Sequence, residues 1–187
     1  MKKTIAFLLV AVMALSMTSA FASSPVNYTP AVEEVAAEEL TVAVVESEEV
    51  NKAVEAVEEL VKAGTPVIEY FPAETQEEVK AALPEAVKAE ELELNEFVGL
   101  TVEGFEKAAE EADEVRLVIA FTTKYDPEQK VFPLIGLVDA NGNVTWVLVE
   151  AEVQADGSVM LIIPADVLEQ MGNAASVQVA VLSAPKA

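Results

Sequence analysis

Between Ser47 and Gly64, apolar side chains return at helical intervals. Val50, Val54, Val57 and Val61 form a stripe that Ala53 and Leu60 widen. Ser47 suits the N-cap, Glu48 and Glu49 suit the positive end of the helix dipole, and Gly64 suits the stop. Thr65-Pro66 opens a short apolar piece, VIEYFP, which is expected to dock helices onto whatever lies beneath. A second helix is predicted over Ala73 to Leu83, ended by Pro84, and a short turn near Glu85 to Glu91.

From Leu94 the period changes from helical to alternating. EFVGLTVEG and EVRLVIAFTTKY read as strands; in the second, Val115, Leu117, Ile119 and Phe121 share one face. YDPEQK is a turn, and VFPLIGLVD is a strand whose Pro133 calls for an edge or a bulge. DANGN carries a hairpin turn at Asn141-Gly142, followed by the strand NVTWVLVEAEV, an Ala-Asp-Gly turn at 155–157 and the strand SVMLII. PADVLEQMG is a short helix started near Pro164 or Asp166, and ASVQVAVLS closes as a strand. The fold class is therefore α+β: an N-terminal helical segment, then an antiparallel β-sandwich of immunoglobulin-like texture with about six or seven strands. No internal repeat is visible.

The first residues, MKKTIAFLLVAVMALSMTSAFASS, have a basic start, an apolar centre and a small-x-small signal at Ala20 and Ala22. They read as a bacterial-type secretory leader cleaved after Ala22, with an apolar part short of the roughly 20 residues a membrane span needs. The organisation predicted is a leader over 1–22, an acidic tether over 23–46, a helical segment over 47–92 and the sandwich over 93–187. Pro30 to Glu46 mixes helix formers with the strand-favouring LTVAVVE, and a tether is the expectation there. The later sequence offers no spanning run, no cysteine for a lipid, and at VLSAPKA no sorting motif. The expected location is extracellular, with no membrane contact after leader cleavage. With no cysteine to form a disulfide, stability has to come from a hydrophobic core.

Charge narrows the partners. The formal net charge is −22, and losing Lys2 and Lys3 with the leader takes it to −24. Such a field repels nucleic acid and anionic polymers, and Arg116 is the only arginine, so no nucleic-acid partner is expected. Cations and basic proteins are favoured electrostatically; the partner expected is an extracellular protein or a polysaccharide. Twenty-five of the 33 acids lie from Glu33 to Glu114, which suggests two regions built differently. The ten glutamates of 31–60 are read as a solvated face, five of them on the polar side of the first helix.

The absence of histidine and cysteine removes the usual triads, thiol nucleophiles and ordinary zinc sites. GLTVEG lacks the lysine and hydroxyl of a phosphate loop. A carboxylate-dependent hydrolase would need a facing pair, and Glu103, Asp113, Asp126, Asp139 and Glu150 offer no preferred one. The chain is expected not to be an enzyme. Calcium is the one cofactor to weigh, at Glu110, Glu111, Asp113 and Glu114 or at Asp139, Asn141 and Asn143. Counted from Asp139, Glu150 stands at the twelfth place of an EF-hand loop, but Gly142 stands at the fourth instead of the sixth. A hairpin turn is the preferred reading of that stretch. Trp146 shares a strand face with Val144 and Leu148, which favours core packing. The alternative function, a calcium-stabilised carbohydrate-binding module, would need Trp146, Tyr125 and Phe132 exposed together as a sugar-binding platform. Two glycosylation sequons, at Asn27 and Asn143, are taken as chance matches beside a bacterial leader. The function expected is binding or structural support outside the cell.

Overall fold

A computed structural model describes residues 8–11, 33–36, 41–45, 48–104, 108–109, 113–121 and 124–185. The predicted first helix is α1, Glu48–Lys62, with Val50, Ala53 and Val57 buried. It ends as expected: Gly64 takes φ 80°, and the amides of Gly64 and Thr65 donate back to the carbonyls of Val61 and Leu60. Ser47 lies outside the described residues. Val67–Tyr70 form a 3₁₀ turn, Ala73–Ala82 form α2, and Ala89–Glu91 form a second 3₁₀ turn before the chain enters the sheets.

Ten strands are described. They are β1 (Leu8–Ala11), β2 (Glu33–Ala36), β3 (Thr41–Val45), β4 (Glu93–Glu103), β5 (Glu114–Ile119), β6 (Val131–Val138), β7 (Val144–Leu148), β8 (Glu150–Val153), β9 (Val159–Pro164) and β10 (Ser176–Ser183). A third helix, α3 (Ala165–Asn173), precedes the last of them. One antiparallel sheet has the order β3-β4-β10-β6-β7 and the other β5-β9-β8, while β1 and β2 pair as a separate ribbon. Seven strands follow the helices, as the alternating pattern predicts. If these seven are lettered A to G, the sheets read A-G-C-D and B-F-E. The immunoglobulin order is ABED and CFG, so the likeness stops at texture.

The larger sheet is covered on both faces. Val98, Leu100, Ile135, Leu137, Val177, Val179 and Val181 face the smaller sheet, where β5 contributes Val115, Leu117 and Ile119 and α3 contributes Val167, Leu168 and Met171. Phe97, Phe132, Leu134, Trp146, Ala180 and Leu182 face the helices, against Val50, Ala53, Val57, Ile68, Phe71 and Val79. This explains why β6 reads as an unbroken apolar run and is buried at all eight positions. The result is three layers: helices, large sheet, small sheet.

Two local features depart from simple alternation. The stretch predicted as one strand from Asn143 onward divides at Val149, where the chain passes from the large sheet (β7) to the small one (β8). Pro133 explains the break. Its carbonyl accepts from the Val149 amide at 3.1 Å, so its missing N–H faces the point where β7 turns away. In β4, Glu96 pairs with Val181 but Leu94 with Leu182, leaving Asn95 as a bulge. Thr41–Val45 pair with β4 as an edge strand, so the end of the acidic lead follows its β-branched residues.

The helical layer seats closely because two glycines thin the sheet beneath it. A Cβ on Gly136 would lie 2.8 Å from the Trp146 ring, which crosses from the paired position on β7. One on Gly99 would lie 3.1 Å from Val50 of α1. Trp146 then meets Phe71 at 5.1 Å and Phe97 at 5.8 Å, both edge-on. We expect Gly136→Ala to destabilise by about 1–3 kcal/mol through overpacking and Trp146→Ala by about 3–5 kcal/mol. In the Trp146→Ala background, Gly136→Ala should become neutral or stabilising, because the clashing ring is gone. Urea midpoints of the four chains test this; additive effects would contradict the packing.

Candidate functional site

The helical layer meets the start of the large sheet at a groove of about 340 Å³. One wall is the end of α1 and its exit, Val61, Gly64, Thr65, Pro66 and Val67; the other is Glu90 to Leu94. Local chemistry builds both. The Gly64 stop and Pro66 turn the chain sharply into the 3₁₀ turn, so Val67 drops into the core. On the opposite wall Leu92 and Leu94 point inward and Glu91 and Glu93 outward. The floor is apolar, from the half-buried Val61 and Pro66 over the buried Val67, Leu92 and Leu94, and the rim carries the exposed carboxylates of Glu90, Glu91 and Glu93.

Two lysines stand near this rim, and each is engaged. Lys62 holds Glu58 at 2.8 Å and Lys88 holds Glu91 at 3.4 Å. Among the described residues, Glu90 and Glu93 have no ion-pair partner. Sequence reasoning missed this groove because its walls are about thirty residues apart in the chain; Glu90 and Glu91 read only as a polar turn.

A second polar group lies at one end of the sandwich. Glu96 is 0% exposed, and its charge reaches Tyr125, which is 3% exposed. Burial first, and Glu96 second, push the Tyr125 phenol far above its ordinary range. Its hydroxyl has no hydrogen-bond partner among the described residues. Asn95, next to Glu96 in the chain, accepts from Ser183, and Gln129 donates to Ser183 at 3.1 Å and to the Ala184 carbonyl at 3.2 Å. Glu96 was also missed, although its parity with Val98 and Leu100 was a signal that it points inward. Neither Glu96 nor Tyr125 lines the groove.

The residues singled out from sequence fall apart spatially. Trp146 is 8% exposed, and Phe132 is buried with it on the helix side, whereas Tyr125 is packed between the sheets. The platform that would expose Trp146, Tyr125 and Phe132 together is not formed; the ring cluster around Trp146 takes that side chain as core. Glu103, Asp113, Asp126, Asp139 and Glu150 are all solvent-exposed. Glu110, Glu111, Ala20 and Ala22 lie outside the described residues. No group of three or more acidic side chains is arranged to hold a metal among the described residues.

Asp139, Asn141 and Asn143 do come together, as a hairpin turn. Asp139 Oδ1 accepts from the amides of Asn141 at 2.7 Å and Asn143 at 2.9 Å, and its Oδ2 accepts from Asn143 Nδ2 at 2.8 Å. Gly142 at φ 83° completes the turn. Both carboxylate oxygens thus face N–H donors, where a cation site would present oxygens alone. The Asn143 side chain, then its amide, hold the Asp139 carboxyl below its usual range.

Comparison with known proteins brings no family to this chain: no family model, no curated protein and no solved structure matches it.

The depressed Asp139 group has a stability consequence. Its contribution is present above the unfolded aspartate value, about 3.9, and is lost as pH falls through the lower folded value. We therefore expect Asp139→Ala to lower Tm by a few degrees at pH 7, with the gap from the parent chain closing as pH drops below about 4. A gap independent of pH would contradict the charged turn.

Proposed function

We propose that this chain is an exported, non-enzymatic binding protein that works outside the cell, at or near its surface. The observation that carries the reading is the open groove with an apolar floor and a carboxylate rim, set in the acidic helical layer. Carboxylate catalysis gains no support from the exposed acids, because a general acid of that kind relies on a sheltered, charge-disfavouring site. The buried Glu96 and Tyr125 sit away from the groove, where a substrate would have to open the sandwich to reach them.

Charge selects between the two partner classes expected from sequence. A net charge of −24 on the exported form, −22 less Lys2 and Lys3, disfavours anionic wall polymers, and the groove is lined by no aromatic ring on which a sugar would stack. A protein displayed at the cell surface is the partner this chemistry favours.

The test is co-sedimentation of the exported form, residues 23–187, with purified cell walls of the producing organism in calcium-containing buffer. We expect saturable binding that weakens as salt rises and is abolished by prior protease treatment of the walls. Release of soluble wall fragments, lost on changing a single carboxylate, would contradict the non-enzymatic reading. Binding that survives protease would contradict a protein partner, and no binding to intact walls would contradict a surface role.

A further inference from the structure

We propose that the groove between the end of α1 and the Ala89–Glu91 turn docks a short cationic peptide segment, in which a lysine or arginine is flanked by an apolar residue. The assignment rests on the binding role proposed above and names what that site takes.

Three features converge on this ligand class. Val61 and Pro66, both half-buried, offer apolar contact over the buried Val67, Leu92 and Leu94. Thr65 and Pro66 are half-buried, so part of the floor stays open to solvent. Above it, Glu90 and Glu93 lack ion-pair partners among the described residues, and Glu91 shares its charge only with Lys88 at 3.4 Å. An anionic ligand meets repulsion from every one of these groups, and a neutral apolar ligand leaves three carboxylates to be desolvated without compensation. A cationic head on an aliphatic stem matches both the rim and the floor.

Size sets the length. At about 340 Å³ the groove is near the lower bound of ligand pockets, about 300–1,000 Å³, so it holds one or two side chains and not a folded surface. The remaining partner contacts would be made by the acidic layer around it, including the exposed Glu59 and Glu69, which steers approach without fixing register.

The strong overall charge makes any cation stick weakly, so the test must separate the groove from the field. An acetylated, amidated pentapeptide alternating lysine and leucine is titrated calorimetrically into the exported form at physiological salt. The groove variant is Glu90→Gln with Glu93→Gln. The control, Glu74→Gln with Glu78→Gln, removes the same charge from exposed positions on α2 that do not line the groove. All four positions are exposed, so both variants should keep the parent Tm, and a matching Tm is required of each.

The expected result is binding to the parent chain, weakened about fivefold to tenfold in the groove variant and changed less than about twofold in the control. Replacing the leucines of the peptide by serine should also weaken binding, because the floor is then left unfilled. Equal losses in the two variants would overturn the groove and leave only the field; so would no detectable binding to the parent chain. Wall co-sedimentation retained alongside either of those results would overturn this assignment alone. Loss of both would overturn the binding role beneath it.

Discussion

The central strands β6 and β10 are buried on both faces, and most of the architecture answers that constraint. β6 is covered along its whole length and β10 at all but its first residue. A sheet apolar on both sides has to be sandwiched twice. The three-stranded sheet and α3 supply one cover; α1, the 3₁₀ turns and α2 supply the other. With no disulfide to constrain the unfolded chain, these two contact layers carry the stability. The helices in front of the sandwich are therefore part of its core and not an appendage.

The same constraint explains the uneven charge. A helical layer that turns its valines and alanines to the sheet leaves its opposite face to water, and that face is filled with glutamate. The exposed pairs of Lys52 with Glu48 and Lys80 with Glu77 are of the helix-spaced, solvent-screened kind that adds little to stability. The charge contributes more to solubility than to folding. Where the layer ends against the start of β4, the apolar interior and acidic exterior meet at one edge, and that edge is the groove.

Much of this was legible in the chain wherever the signal was local. The valine stripe and Gly64 bounded α1, the parity of Val115, Leu117 and Ile119 assigned the inner face of β5, and DANGN marked the β6–β7 hairpin. The packing of Trp146 with Val144 and Leu148 was legible for the same reason. What escaped depended on distant partners. The sheet switch at Val149 follows from Pro133 on the neighbouring strand. The Asn95 bulge turns Leu94 to the helices while Glu96 keeps to the inner side, and no pattern within β4 announces the extra residue. The pairing of Gly136 with Trp146 joins two unremarkable positions. The groove was the least visible feature of all, because each wall is ordinary alone and only the docking of α1 beside β4 makes them a site.

The central claim is that the helical layer is a required cover for the large sheet. It is tested most directly by producing residues 92–187, which lack α1, α2 and the 3₁₀ turns together with the edge strand β3, and following urea unfolding by near-ultraviolet circular dichroism. Removing the layer uncovers Phe97, Phe132, Leu134, Trp146 and Leu182 together. The account predicts no cooperative transition, with aggregation or a loose state that binds hydrophobic dye. A soluble fragment with fixed aromatic signals and a single cooperative transition would contradict it, and would make the sandwich an independent domain.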